Sequence, residues 1–194
     1  VTDGEYSDST VFTLTVNPIN DAPTLNLVDD QLINEDNVFT YTLSAVDIDS
    51  EELYFAALVD GNSALVLDGN LMTITPDSNF NGSIFVSYSV TDGELSDSNS
   101  FTLEVNPVND APIIGAIDNQ VIDEDGSLTI DLLASDVDGD ELTFSAVDGN
   151  TSLIVEGNQL TVTPEADYYG DVEITVSVTD GEYSDSTVFT LTVN

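Results

Sequence analysis

This chain of 194 residues carries 38 acidic side chains and not one Lys, Arg or His. No carboxylate in it can pair with a cationic side chain. Each negative charge must be met by backbone N–H groups, by water or by ions from solution. Two carboxylates about 4 Å apart near a protein surface repel by roughly 4 kcal/mol. That is a large part of a typical total stability of about 5–15 kcal/mol. Bulk salt screens over about 8 Å at physiological strength, too far to relieve a tight cluster. A fold that gathers these acids therefore requires bound cations to hold its shape.

The acids are 26 Asp and 12 Glu. Asp favours turns and short-reach chelation, whereas a purely solubilising surface would use Glu at least as freely. Apolar residues make up 41% of the chain, enough for a packed core once the charge is neutralised. There is no Cys, hence no disulfide and no thiol chemistry. No apolar run approaches the roughly 20 residues of a membrane helix. Nucleic acid is excluded as a partner at a net charge of −38, because phosphate binding needs cations on the protein. The chain shows no signal peptide and opens in mid-strand pattern, so it reads as a window cut from something longer.

Internal repetition sets the domain plan. The segment VTDGEYSDSTVFTLTVN at Val1–Asn17 recurs letter for letter at Val178–Asn194, and a close variant, VTDGELSDSNSFTLEVN, occupies Val90–Asn106. The steps between them are 89 and 88 residues. NDAP begins at Asn20 and again at Asn109, Asp47-Ile-Asp49 matches Asp136-Val-Asp138, and Asp60-Gly-Asn62 matches Asp148-Gly-Asn150. The expected division is a strand remnant of a preceding repeat at residues 1–17, one repeat at 18–106 and a second at 107–194. The remnant is completed by an upstream domain, or else it frays or docks on a neighbouring chain by strand addition.

Each repeat shows period-two alternation. Phe39, Tyr41, Leu43 and Ala45 alternate with Thr40, Thr42 and Ser44. Ile84, Val86, Tyr88 and Val90 form a second such set, and Phe101, Leu103 and Val105 a third. Further strands are expected near Leu25–Ile33, Leu53–Val59, Ala64–Leu67 and Leu71–Thr75, and no helical period appears. Seven strands in about 88 residues predict an all-β chain of tandem seven-stranded antiparallel sandwiches with Ig-like Greek-key order. The Cys–Trp–Cys core of antibody domains is missing.

Lettering the seven strands A to G, antiparallel order sends their turns to two poles. The AB and EF turns hold Glu35, Asp36 and Asp77 in the first repeat, and Glu124, Asp125 and Glu165 in the second. The BC and FG turns, at the other pole, hold Asp47, Asp49, Glu51, Glu52 and Asp92, matched by Asp136, Asp138, Asp140, Glu141 and Asp180. Linker residues Asn20 and Asp21, and Asn109 and Asp110, enter beside the second set. Calcium takes 6–8 hard oxygens from carboxylates, amides and carbonyls, so the acidic end of one repeat, the linker and the top of the next are expected to share Ca2+ at a junction. Asp136-Val-Asp138-Gly-Asp140 also looks like the start of an EF-hand loop, but the downstream Glu and the helical flanks are lacking.

On these motifs the chain resembles the bacterial cadherin-like repeats that stand in tandem in very large surface proteins and secreted adhesins. The linker Val105-Asn-Pro-Val-Asn-Asp-Ala-Pro112 is similar to the cadherin linker, with Asn109 and Asp110 on its Asn-Asp pair. The resemblance maps the AB-turn glutamate onto Glu35 and Glu124, the D-x-D pair onto Asp47 and Asp49 and onto Asp136 and Asp138, and the strand-end Asp onto Asp92 and Asp180. Pro107 stands where the family linker has its first Asp, and a T-P-D/E turn replaces its L-D-R-E turn. The resemblance implies a calcium-rigidified spacer on a bacterial surface or in a secreted adhesin. The competing reading is an adhesive module, homophilic or polysaccharide-binding, with Tyr6, Tyr54, Tyr168, Tyr169 and Tyr183 available to stack on sugars. A two-carboxylate glycosidase would need a protonated acid held in a cleft, which exposed turns do not offer. The chain is expected not to be an enzyme. Asn81-Gly-Ser and Asn150-Thr-Ser fit the N-glycosylation pattern and read as plain turns.

Overall fold

Period-two patterning is realised as strands from Thr24 onward. The computed structural model describes residues 1–148 and 151–194, and every element there is a strand. Gly149 and Asn150, from the second DGN turn and sequon, lie outside the described residues. The chain divides into two compact units, Val1–Pro107 and Val108–Asn194.

Unit 1 contains β1 (Thr24–Leu25), β2 (Gln31–Asn34), β3 (Phe39–Thr42), β4 (Ala45–Val46), β5 (Tyr54–Val59), β6 (Ser63–Asp68), β7 (Leu71–Pro76), β8 (Gly82–Thr91) and β9 (Ser96–Asn106). Unit 2 repeats them as β10 (Ile113–Ile114), β11 (Gln120–Ile122), β12 (Leu128–Asp131), β13 (Ala134–Ser135), β14 (Thr143–Val147), β15 (Thr151–Glu156), β16 (Gln159–Pro164), β17 (Gly170–Thr179) and β18 (Ser184–Val193). One sheet of unit 1 runs β2-β9-β8-β5, the other β3-β7-β6, with β1-β4 as a short extra pair; unit 2 has the same order.

The seven expected strands are present, with the first two each divided. The first strand changes sheets: β1 pairs antiparallel with β4, whereas β2 pairs parallel with β9. The same parallel pairing joins β11 to β18, the one departure in each unit from an all-antiparallel sandwich. The second strand breaks at Leu43. Its N–H donates to the Asn70 carbonyl at 2.8 Å, and the Asn70 side chain donates back to the Leu43 carbonyl at 2.8 Å. Asn158 does the same for Leu132, donating from its side chain at 3.4 Å. A turn residue, through its carbonyl and its side chain, thus takes the place of two ladder bonds and lets the strand bend while its backbone stays satisfied.

The cores follow from register. Ile84 opposes Leu103 and Val86 opposes Phe101 in unit 1; Val172 opposes Leu191 and Ile174 opposes Phe189 in unit 2. These side chains are buried and form one cluster per unit. Unit 1 adds a polar device. Tyr88, 2% exposed, packs its ring 6.1 Å from Phe101 and accepts the Val28 N–H on its hydroxyl at 2.9 Å. Where the first strand leaves its ladder, Tyr88 supplies the missing acceptor. Val176 occupies the matching position of unit 2. Tyr88→Phe therefore strands a buried donor and is expected to destabilise unit 1 by about 1–3 kcal/mol, leaving unit 2 unchanged. Urea unfolding followed at both units checks this.

Residues 1–23 form no strand, only an isolated bridge between Thr2 and Ser7. Their apolar side chains Val11, Phe12, Leu14 and Val16 are exposed.

Candidate metal centre

The BC turn of unit 2 is built on one carboxylate. Asp136 Oδ1 accepts the N–H groups of Asp138 at 2.9 Å, Gly139 at 3.0 Å and Asp140 at 3.4 Å. An Asp side chain that takes up successive backbone donors closes its own turn, and Gly139, at φ +81°, supplies the left-handed residue that turn needs. The closure brings the three acids together: one carboxylate oxygen each from Asp136, Asp138 and Asp140 lies within 4.8 Å of the others. The second oxygen of Asp136 is buried and has no hydrogen-bond partner among the described residues.

The linker is tied to this turn. Asp110 N–H donates to Asp138 Oδ2 at 2.8 Å, and the Asn109 side chain donates to Asp180 Oδ2, in the FG turn, at 3.0 Å. Asp110 Oδ2 is also buried. Linker, BC turn and FG turn of unit 2 thus meet at one pole with Asn109, Asp110, Asp136, Asp138, Asp140 and Asp180.

Unit 1 builds the same pole from Asn20, Asp21, Asp47, Asp49 and Asp92. Asp47 Oδ1 takes the N–H groups of Asp49 and Ser50, both at 2.7 Å. Asp21 N–H donates to Asp49 at 2.9 Å, and Asn20 donates to Asp92 at 2.8 Å. Asp47 Oδ2, like its counterpart in unit 2, is buried without a hydrogen-bond partner among the described residues. The third acid differs. Glu51 stands where unit 2 has Asp140, and no close triad forms among the described residues of this turn.

The opposite pole is less uniform. In unit 1 the Glu35 N–H closes on the Asn106 carbonyl at 2.9 Å, and Glu35 itself is only 3% exposed. Asp36, at φ 59°, accepts the Asn79 N–H at 3.3 Å, which joins the AB and EF turns. Asp77 shapes the EF turn through its backbone and leaves its carboxylate exposed. In unit 2 the Glu124 N–H bonds the Asn194 carbonyl at 2.9 Å and Asp125 accepts the Asp167 N–H at 3.3 Å, yet Glu124 and Glu165 are exposed. Backbone design repeats at this pole; burial of the glutamate does not.

Sequence reasoning missed a second class of acids. Asp97 and Asp185, in the last strand of each unit, accept the N–H of Leu25 at 2.9 Å and of Ile114 at 3.0 Å. Asp30 and Asn119 accept the N–H of Thr102 at 2.7 Å and of Thr190 at 2.9 Å. Asp97 and Asp185 thus serve the first strand from the last, while Asp30 and Asn119 serve the last strand from the first-strand segment. The signal was their repetition at matched positions away from turns. Tyr168 is also less available than expected, since its hydroxyl donates to the Asp171 carbonyl at 3.1 Å.

Backbone donors hold several of these acids below the usual carboxylate range. For Asp92 the donors are Leu95, then Glu94; for Asp185 they are Ile114, then Ser186. For Asp180 burial pushes upward, and the donors Glu182 and Tyr183 outweigh it. A carboxyl lowered in the fold stabilises the fold above its unfolded value of about 3.9, and loses that contribution as pH falls through the lower folded value. Asp185→Asn cannot titrate. In chelator it is expected to flatten the fall in the melting temperature of unit 2 below about pH 4, while unit 1 keeps its acid sensitivity. Circular dichroism melts across this pH range check it.

Residues 19–106 match the family described as cadherin-like domain, and residues 109–194 match bacterial Ig domain. No curated protein matches the chain. Among solved structures, the first two repeats of human protocadherin-24 align at 14% identity with a TM-score of 0.51, over 91% of this chain and 99% of theirs. Drosophila N-cadherin repeats 1–4 align at 14% identity with a TM-score of 0.40, over 91% of this chain and 51% of that one. An endo-fucoidan hydrolase of glycoside hydrolase family 107 aligns at 14% identity with a TM-score of 0.39, over 93% of this chain. The present chain spans only 30% of that enzyme's length. At such identities the likeness is one of fold, and only the protocadherin alignment is close enough to carry it. By these matches the first unit is similar to a cadherin-like domain and the second to a bacterial Ig domain, two sandwiches of one architecture in tandem.

Proposed function

We propose that this chain is a calcium-binding, calcium-rigidified tandem spacer of an extracellular bacterial adhesin or surface filament. The observation that carries the reading is Asp136. One of its oxygens takes three backbone donors, and the other is buried with no hydrogen-bond partner among the described residues, in a chain without a cationic side chain. A buried carboxylate oxygen of this kind needs a positive charge beside it. Asp47 repeats the arrangement. The donor set is all oxygen and rich in carboxylate, which suits calcium rather than a softer metal.

Asp136, Asp138, Asp140, Asp110, Asn109 and Asp180 would hold the ion in unit 2, and Asn20, Asp21, Asp47, Asp49 and Asp92 in unit 1. Glu35, Asp36 and Asp77, with Glu124, Asp125 and Glu165, are the proposed ligands of the other poles. Bound calcium supplies the charge that turns mutual repulsion into attraction. The rest is done by the chain. The backbone N–H of Asp110 and the side-chain amide of Asn109 already hold the linker against the BC and FG turns, so an ion taken up there removes the linker's remaining freedom. Extracellular modules bind calcium with Kd about 10⁻⁴–10⁻³ M, which fits a protein outside the cell.

Calorimetric titration of the whole chain tests the proposal. Wild type is expected to take up calcium in the submillimolar range, and Asp136→Ala to lose the unit 2 site. Small-angle scattering should narrow from a spread of shapes to one on adding calcium. Absence of heat with calcium, together with unchanged scattering, would reject it.

A further inference from the structure

The strand β5 is the edge of its sheet and carries no charge. Its residues, Tyr54-Phe-Ala-Ala-Leu-Val59, end the order β2-β9-β8-β5, with β8 along one side and no strand along the other among the described residues. The Asp60 N–H donates to the Phe85 carbonyl at 3.3 Å, and the ladder continues with Leu58 opposite Ser87 and Ala56 opposite Ser89. Bonded pairs alternate along an antiparallel ladder. Tyr54, Ala56 and Leu58 therefore turn their N–H and C=O groups to β8, and Phe55, Ala57 and Val59 turn theirs to the open side. A cleft lined by Leu53, Phe55 and Leu67 lies beside the strand.

Natural edges are guarded by charge, proline or a bulge. Here the guards stand only at the ends, Glu51 and Glu52 before the strand and Asp60 after it. The outward face adds apolar surface: Tyr54 is 60% exposed, Leu58 71%, and Phe85 on the adjoining β8 49%. Unit 2 is built differently at the same places. Thr143 and Ser145 replace Tyr54 and Ala56, and Glu173 replaces Phe85. The sandwich itself does not demand the apolar choices of unit 1, since unit 2 folds without them.

We infer that β5 is a self-association edge: two copies of this chain pair β5 with β5, antiparallel about a two-fold axis through Ala57, joining two four-stranded sheets into one of eight. This goes beyond the spacer reading and does not rest on it. The charge pattern selects a second copy as the occupant. With the axis at Ala57, Phe55 opposes Val59 and Ala56 opposes Leu58, so every open N–H and C=O of the strand finds a partner, about six bonds in all. Asp60 falls opposite Tyr54, and Glu52 opposite Asn62, so no acid stands directly against an acid. An axis at Ala56 would set Glu52 against Asp60, which fixes the register. Two chains with 38 acids each and no cation can meet only where acids are missing, and an edge with acids at both ends and none between matches its own inverse. A basic partner would be drawn to the acidic turns instead.

Analytical ultracentrifugation of the whole chain tests this, in about 5 mM calcium and about 0.5 M NaCl to screen the net charge. A short strand pair is a small interface, so the mass is expected to rise from one chain toward two with Kd about 10⁻⁵–10⁻³ M. Leu58→Glu changes an exposed side chain and adds a charge beside the axis. It should keep the wild-type melting curve and weaken association by about tenfold or more. Register is read by disulfide capture, in a chain that has no Cys of its own. Directly opposed, non-bonded residues such as Ala56 and Leu58 lie about 4.5 Å apart at Cα, within disulfide reach. A mixture of Ala56→Cys and Leu58→Cys chains should therefore oxidise to a linked heterodimer faster than either variant alone links to itself. Wild type that stays monomeric to about 1 mM overturns the inference, even if β5 takes up a strand of another protein. So does Leu58→Glu associating as wild type does, or cross-linking no faster in the mixture than in the separate variants.

Discussion

Excess calcium is expected to raise the melting temperature of this protein by about 10 °C or more over the value in chelator. A ligand that binds only the folded state stabilises by RT ln(1 + [L]/Kd), about 2 kcal/mol per site at about 5 mM calcium for a Kd near 10⁻⁴ M. For a domain of this size about 1 kcal/mol shifts the melting temperature by roughly 4–8 °C. The gain is large because the starting point is poor: a chain of charge −38 folds its acids into turns and has no cationic side chain to offset them. Asp136→Ala is expected to remove most of the response of unit 2, since it deletes both the turn closure and the buried unpartnered oxygen. Asp47→Ala should do the same for unit 1. Asp140→Ala should matter more than Glu51→Ala, because only unit 2 gathers a third acid near the pair. Calorimetric scans in calcium and in chelator check all four. Equal melting of wild type in the two buffers would remove the basis of the calcium reading.

Leu191→Ala is expected to destabilise unit 2 by about 3 kcal/mol, whereas Leu14→Ala shifts stability by no more than a few tenths. The two residues sit at the same place in two copies of one 17-residue sequence. Leu191 is fully buried between Val172 and Gln120, so truncation removes transfer energy and leaves a cavity, at a typical cost of about 2–5 kcal/mol. Leu14 is 77% exposed, and surface changes of this kind stay within about 0.5 kcal/mol. Chemical unfolding of each variant checks the pair. A similar loss from Leu14→Ala would mean that the leading segment is packed in solution.

Much of the candidate site was legible because it lies in turns. Asp47 and Asp136 close their own turns over two or three residues, so D-x-D spacing alone predicts the local shape. The linker residues Asn109 and Asp110 were legible through repetition of NDAP. The asymmetry between Glu35 and Glu124 was not. Both follow a strand and both donate their N–H to a chain carbonyl, but burial of one and exposure of the other depends on what surrounds them in space. Asp97 and Asp185 were missed for the same reason. Their partners, Leu25 and Ile114, are 72 and 71 residues away, and nothing near them in sequence marks the gap they fill.

The doubled segment separates the two kinds of information. By itself, VTDGEYSDSTVFTLTVN determines a turn: Asp3 and Asp180 take up the same two N–H groups whatever surrounds them, since donor and acceptor are two or three residues apart and little chain entropy is lost in closing them. Whether the following residues become a strand was decided only by tertiary structure. A strand has no hydrogen bonds within itself, so Phe189, Leu191 and Val193 are ordered by β17 on one side and β11 on the other. Phe12, Leu14 and Val16, with identical letters and no neighbouring strand, remain exposed.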